Sequence, residues 1–305
     1  MNDVTGRTDA AVPAATADAA AASSPPAAAT ARVEDAAPAG VATEPRLRAE
    51  RATLAYDRRT IAEGLSVDIP TDSFTVIVGP NACGKSTLLR ALARVMAPAS
   101  GRVLLDGKAI SSYPPKEVAR RLGLLPQTSL APDGITVADL VARGRHPHQG
   151  MFRQWTVADE RAVAGALAAT NTADLAGRLV EELSGGQRQR VWVAMVLAQQ
   201  TPLLLLDEPT TFLDIAHQYD LLELLRRLHR AGGRTLVAVL HDLNQAARYA
   251  DHLVVMSEGR IVTTGDPGEV LTAELVEELF GLPCTVIPDP HTGTPLVVPR
   301  PSVDA

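Results

Sequence analysis

Cysteine is nearly absent. Cys83 and Cys284 are the only two in 305 residues. Two thiols cannot staple a chain this long, so a disulfide scaffold is excluded and a reducing compartment suits it. No run of about 18 apolar residues occurs, so no spanning helix is expected and any membrane role has to come through a partner. The N-terminus lacks a basic region followed by an apolar stretch, so a secretory leader is not expected. Positive charge is also short. There are 29 basic against 35 acidic residues, a net charge of −6, which argues against a generic nucleic-acid binder. Lysine occurs only at 85, 108 and 116. With so much arginine and alanine, that scarcity reads as compositional bias rather than chemistry.

What is present suits a soluble globular chain: 46% hydrophobic and 21% charged residues, enough for a sizeable core. The length allows one large domain or two small ones. Residues 1–46 stand apart. They hold 17 alanines and five prolines, with no aromatic residue, leucine or isoleucine. Such a segment cannot bury enough surface to offset its ordering entropy, so a disordered tail is expected. Six acidic against three basic residues argue against a mitochondrial transit peptide. No internal repeat is evident.

From Leu47 onward the pattern is globular. Phe74–Val78, Leu203–Leu206, Leu236–Leu240 and Leu253–Met256 read as buried strands. Lys85–Ala97, Gln187–Gln199 and His217–Ala231 read as helices between them. Strands alternating with helices predict βαβ units and a parallel sheet. Residues 128–186 break the alternation and read as an inserted helical subdomain, with Thr156 and Asp159 spaced as a capping box. The end turns β-like again around Arg260–Thr263 and Leu296–Val298. The expected fold class is α/β, with a parallel sheet, an antiparallel β portion and that helical insertion. The expected divisions are a tail to 46, a first core part over 47–127, the helical subdomain, and a second core part with a C-terminal extension over 187–305.

Residues 79–87 read GPNACGKST, which fits G-x-x-x-x-G-K-[ST] between a strand-like FTVIV and a helix-like LLRALARV. A glycine-bearing loop turns its backbone N–H groups inward, and the following helix N-terminus adds positive potential, so phosphates bind there. Gly79, Pro80, Asn81, Ala82, Cys83, Gly84, Lys85, Ser86 and Thr87 are the candidate cradle. Lys85 is expected to reach the β- and γ-phosphates and the Ser86 hydroxyl to ligate Mg²⁺. Cys83 sits near a helix N-terminus, a setting that can raise a thiol's reactivity; the alternative is a small buried filler.

Residues 203–209 read LLLLDEP. Ligands in parallel α/β sheets sit at the C-terminal strand ends. Asp207 there fits a Mg²⁺ partner, and Glu208 is placed to activate or orient an attacking water. Residues 183–190 read LSGGQRQR and open a helix. Ser184, Gly185, Gly186 and Gln187 offer a hydroxyl and exposed amides at its N-terminus, a second anion receptor.

Together the phosphate loop, LLLLDEP and LSGGQ resemble the ABC-transporter ATPase family, over roughly residues 47–290. LSGGQ is the most specific of the three. The resemblance implies a P-loop NTPase core and a head-to-tail dimer with ATP between the phosphate loop of one copy and the LSGGQ of the other. It further implies that Tyr56 stacks on adenine. Gln127, in GLLPQTS, would sense Mg²⁺ and water and couple to the membrane partner. Asp214, in TTFLD, would contact the opposite copy. His241 would contact the γ-phosphate and orient Glu208. Lys85, Gln127, Glu208 and His241 are thus the expected catalytic set, and Ser86, Gln127 and Asp207 the expected metal set. Ala82 departs from the glycine that relatives often carry, which makes a positive φ costly there.

Three stretches carry the transporter type. EPTTFLDIAHQ (208–218), RGRHPHQGMF (143–152) and PCTVIPDPHTGTPLVVP (283–299) are similar to segments of ferric-siderophore importer ATPases. His146 and His148 bracket a proline, and no cysteine or aspartate completes a ligand set, so a surface facing the permease is expected rather than a metal site. The resemblance implies an ATP hydrolase peripheral to the cytoplasmic face of the membrane. Its implied partners are a second copy, a separate permease and, indirectly, a siderophore-binding protein, with no nucleic acid. Alternatives are an importer ATPase for cobalamin, haem or another metal, or a soluble non-transport ABC ATPase.

Overall fold

A computed structural model of the chain describes residues 45–57, 59–128, 130–150 and 155–301. Of the sequence expectations, the tail up to residue 44 and Met151–Phe152 lie outside the described residues.

Two long strands come first, β1 (Leu47–Tyr56) and β2 (Arg59–Ile69). Along β1, Leu47, Ala49, Ala52 and Leu54 are buried between partly exposed neighbours, the pattern of a sheet wetted on one face. Next come β3 (Phe74–Val78), α1 (Lys85–Leu92), β4 (Ser100–Leu105), β5 (Lys108–Ala109), α2 (Pro115–Arg121) and β6 (Leu122–Leu125). The helical stretch holds α3 (Val137–Ala142), a 3₁₀ segment over Arg143–His148, α4 (Val157–Ala169) and α5 (Gly185–Ala198). Then follow β7 (Leu203–Asp207), α6 (Ile215–Gly232), β8 (Thr235–Val239), α7 (Leu243–Tyr249), β9 (His252–Ser257) and β10 (Arg260–Gly265). The end holds α8 (Pro267–Val270), α9 (Ala273–Phe280) and the hairpin β11 (Cys284–Pro288) and β12 (Pro295–Pro299). Asn244 of α7 pins that hairpin, donating to the Val297 carbonyl at 3.2 Å and accepting from its N–H at 2.7 Å.

The central sheet runs β10-β9-β3-β8-β7-β6, with β10 antiparallel to β9 and the other pairs parallel. Strands β3, β7 and β8 are buried at every residue, which is why they read as unbroken apolar runs. Their side chains alternate between two cores. Phe74, Val76, Val78, Leu204, Leu206, Leu236 and Ala238 face α3–α7, while Ile77, Leu203, Leu205, Val237 and Val239 face α1 and the antiparallel sheet β2-β1-β4-β5.

Most boundaries shift by one or two residues, and two differ in ways that have a physical cause. The first helix ends at Leu92, not Ala97. Arg94 turns to φ 61°, and the N–H groups of Val95 and Met96 both fold back on the Arg90 carbonyl, closing the helix end. The supposed tail is also not wholly outside the fold. Arg46 Nε pairs with Asp106 Oδ1 at 2.8 Å, and the Arg46 carbonyl accepts from Asp106 N–H at 2.7 Å. The Thr156–Asp159 capping box forms as the spacing predicts. Among the described residues no helix is long and apolar enough to cross a membrane.

Candidate nucleotide site

Four adjacent strands of the central sheet, in the order β3-β8-β7-β6, end side by side. Each delivers one part of the site from its C-terminal end: the phosphate loop after β3, His241 after β8, Asp207 and Glu208 at the end of β7, and Gln127 after β6. Sheet order thus gathers residues that are up to 162 positions apart.

The loop at 79–84 is tightly seated. Gly79 has φ 153°, and a Cβ there would stand 2.0 Å from the Met256 carbonyl oxygen. Gly84, at φ 105°, caps α1. Gly259 N–H donates to the Cys83 carbonyl at 3.0 Å, and a Cβ on Gly259 would stand 2.0 Å from the Ile61 oxygen. Ala82 does adopt φ 60°, so the departure from glycine carries its conformational cost, about 1–2 kcal/mol. Lys85, 5% exposed, donates at 2.8 Å to the carbonyls of Gly79 and Pro80, which leaves one of its three N–H groups for a ligand. Asn81, Ala82, Cys83, Gly84, Lys85, Ser86 and Thr87 line a cavity of about 290 Å³ together with Arg59, Ile61, Glu208 and His241.

Ser86 Oγ donates to Asp207 Oδ1 at 2.7 Å. Asp207 Oδ2 is buried with no hydrogen-bond partner among the described residues, and Arg90 Nε stands 3.9 Å from it. Burial pushes the Asp207 carboxyl above its ordinary value, against the Ser86 hydrogen bond and the Arg90 charge. A hydroxyl beside a carboxylate with a vacant oxygen is a hard-oxygen set, and it fits a divalent cation such as Mg²⁺.

Glu208 is held from both sides. Gln127 Nε2 donates to Oε2 at 2.7 Å and Thr211 Oγ1 to the same oxygen at 3.2 Å. His241 Nε2 lies 2.7 Å from Oε1. The residue itself sits at φ 52°, a strained conformation for a side chain other than glycine. A carboxylate fixed in this way, next to a phosphate cradle, can orient a water and take its proton. A second cavity of about 820 Å³ adjoins it, lined by Gly79, Pro80, Asn81, Gln127, Glu208, Thr211, His241, Leu279 and Phe280.

Other predicted residues lie elsewhere on the chain. Ser184 and Gln187 form a reciprocal capping box at the start of α5 (Gln187 N–H to Ser184 Oγ 3.3 Å, Ser184 N–H to Gln187 Oε1 3.1 Å). Beyond its own helix, a Cβ on Gly185 or Gly186 would meet nothing closer than 3.5 Å among the described residues. Asp214 caps α6, accepting from His217 N–H at 3.0 Å, and His217 Nδ1 lies 2.7 Å from its carboxylate. None of Ser184, Gly185, Gly186, Gln187 or Asp214 lines either cavity. Tyr56 is 43% exposed at the tip of the β1–β2 hairpin and accepts from Arg90 Nη1 at 3.3 Å. His148 Nε2 meets the Gln199 carbonyl at 2.8 Å. The sequence reading missed Arg59 and Ile61. Arg59 is the cross-strand partner of Tyr56, three positions before it in sequence, and that spacing was the available signal.

Comparison with known proteins agrees with this geometry. Residues 62–211 match the ABC transporter family. The ferric enterobactin transport ATP-binding protein FepC of Escherichia coli (strain K12) is 60% identical over 254 residues, covering 83% of this chain and 94% of that one. A metal-chelate type ABC transporter in an inward-facing conformation superposes with a TM-score of 0.72 at 29% identity, covering 85% of this chain and 98% of that one. A dimeric bacterial ABC transporter cassette gives 0.65 at 25% identity, covering 72% and 98%. The phosphate loop, the paired carboxylates and these likenesses lead to one conclusion: the chain belongs to the ABC transporter family, as an ATP-binding, ATP-hydrolysing subunit.

Proposed function

We propose that this subunit powers import of ferric siderophores through a separate permease, from the cytoplasmic face of the membrane and as a head-to-tail dimer. What carries the chemical part is the placement of Glu208. It is held between Gln127 and His241 and lines one cavity together with residues 81–87 of the phosphate loop. What supports the cargo is the 60% identity to FepC, together with the three stretches noted in the sequence.

Lys85 and the loop amides hold the phosphates, and Tyr56 takes the adenine. Ser86 and Asp207, with Gln127, would hold Mg²⁺, which would supply charge neutralisation for phosphoryl transfer. Glu208 orients water for in-line attack on the γ-phosphorus and accepts its proton. The bond from γ-phosphorus to the bridging oxygen breaks, and ADP and phosphate leave. His241 fixes Glu208 and meets the γ-phosphate. Ser184, Gly185, Gly186 and Gln187 stand away from their own cavity, so their amides serve the nucleotide of the other copy, and Asp214 contacts that copy. Residues 128–186 act as the helical unit that carries this signature and meets the permease. A siderophore-binding protein acts upstream of that permease.

Glu208→Gln tests the chemistry. Hydrolysis should fall roughly 10²- to 10⁴-fold, the span of a lost general base, while ATP still binds and the dimer accumulates on gel filtration. Normal turnover would reject the assignment. Uptake of radiolabelled ferric siderophore by a strain deleted for this chain tests the cargo, and undiminished uptake would reject it.

A further inference from the structure

Glu208 and His241 meet at 2.7 Å, yet they follow different strands, β7 and β8, and open separate loops. The loop after Glu208 is strained. Glu208 and Phe212 both adopt left-handed backbone, at φ 52° and 67°, and such residues persist only where their surroundings fix them. Packing of the Phe212 side chain does not do so, because it is 85% exposed. Hydrogen bonds to the loop's carbonyls do. Gln189 Nε2 of α5 donates to the Pro209 carbonyl at 2.9 Å, and Gln218 Nε2 of α6 donates to the Leu213 carbonyl at 3.1 Å.

Gln218 has a second partner, on the His241 side. Its Oε1 accepts from Gln245 Nε2 at 2.8 Å. Gln245 is 5% exposed and stands in the first turn of α7, where its N–H donates to Asp242 Oδ1 at 2.8 Å. Asp242 caps α7 and directly follows His241. A ring therefore closes, from Glu208 along its loop to Leu213, through Gln218, Gln245, Asp242 and His241, and back to Glu208. The polarity of the ring is fixed. A carbonyl only accepts, so Gln218 gives Leu213 its amide nitrogen and turns its oxygen to Gln245, which has to donate. A buried amide carries a desolvation cost that an apolar side chain of the same length avoids, so Gln245 supplies direction rather than packing.

We propose that Gln218 and Gln245 are positioning residues for hydrolysis, setting the Glu208 carboxylate against the His241 imidazole. The pair rests on the roles proposed above for Glu208 and His241, and adds what keeps the two in register. Gln127, Thr211 and His241 touch the carboxylate itself. The glutamine pair instead ties together the two backbone segments that carry the carboxylate and the imidazole.

Phosphate release by the purified full chain at varied ATP tests this, with thermal unfolding measured alongside. Gln245→Met and Gln245→Glu keep the length of the side chain and remove its donor. Both should lower kcat about 10- to 100-fold, the scale on which a small displacement of a reacting group acts, with KM for ATP changed less than about twofold. Gln218→Met with Gln245→Met leaves no amide unpaired, so the melting temperature should return towards that of the native protein while kcat stays low. In a His241→Ala background, Gln245→Met should cost little further, because both act through one contact. An unchanged kcat in Gln245→Met, a kcat that recovers together with the melting temperature in the double variant, or an undiminished loss in the His241→Ala background overturns the positioning role alone. Normal turnover by His241→Ala overturns the proposed role of His241, and the positioning role with it.

Discussion

Arg145→Met removes a guanidinium from the interior of the helical stretch. Arg145 and Asp159 pair at 2.9 Å with side chains 6% and 4% exposed. Arg145 Nη1 also donates to the Ala198 carbonyl at 2.7 Å and to Gln200 Oε1 at 3.0 Å, tying the 3₁₀ segment to the end of α5. Methionine keeps much of the stem volume but leaves a buried carboxylate and two acceptors without their donor. Removing one partner of a buried pair costs about 3–5 kcal/mol. At about 2–4 °C per kcal/mol for a domain of this size, the melting temperature should fall by roughly 6–20 °C. Arg145→Met with Asp159→Leu should recover much of the loss, since no charge is then stranded. The pH dependence has a definite sign. The Thr156 hydroxyl and the Arg145 guanidinium hold the Asp159 carboxyl at about 2, below its ordinary 3.8. A depressed carboxyl stabilises the fold above its unfolded value and loses that contribution as pH falls through the folded one. The gap between native and Arg145→Met proteins should therefore be widest near neutrality and narrow towards pH 2. Thermal unfolding followed by circular dichroism from pH 7 to pH 3 measures both. A drop under 2 °C, or a gap that does not change with pH, refutes the account.

Arg59→Ala should raise KM for ATP roughly tenfold, the loss of about one charge-assisted hydrogen bond, with kcat and melting temperature nearly constant; an unchanged KM excludes Arg59 from the nucleotide's surroundings. Cys83 is only 6% exposed but lines the smaller cavity, the proposed nucleotide site. N-ethylmaleimide should therefore abolish ATPase activity unless Mg-ATP is bound, and Cys83→Ala should resist it. Cys284, buried on β11, should show no nucleotide dependence. Equal inactivation with and without Mg-ATP, or undiminished inactivation of Cys83→Ala, removes Cys83 as a reporter.

Sequence alone exposes what is local. GPNACGKST, LLLLDEP and LSGGQ each carry their chemistry within nine residues, and strands buried on both faces announce themselves as apolar runs. It does not expose what depends on distant partners. Arg46 belongs to the fold because Asp106, sixty positions on, accepts its guanidinium. The stop of α1 depends on a left-handed Arg94, a residue with no turn preference of its own. The antiparallel sheet was expected only in outline, because register shifts interrupt the pairing of β1 with both β2 and β4 and blur its two-residue period. That Gln127, Glu208 and His241 meet follows from the order β8-β7-β6, which no motif spells out. Arg59 and Ile61 were missed because only the fold brings them to the lining of the smaller cavity.

The crowding around Gly79 and Gly259 bears on what ATP can drive. With backbone oxygens where either glycine would carry a methyl, the phosphate cradle gives up its conformational entropy when the chain folds, not when the nucleotide arrives. Little of the nucleotide's interaction energy is then absorbed in ordering the loop. That energy remains to bias whatever is still free to move, which in the proposed dimer is the placement of one copy against the other. A rigid cradle is in this sense what lets a small ligand do mechanical work on a large interface.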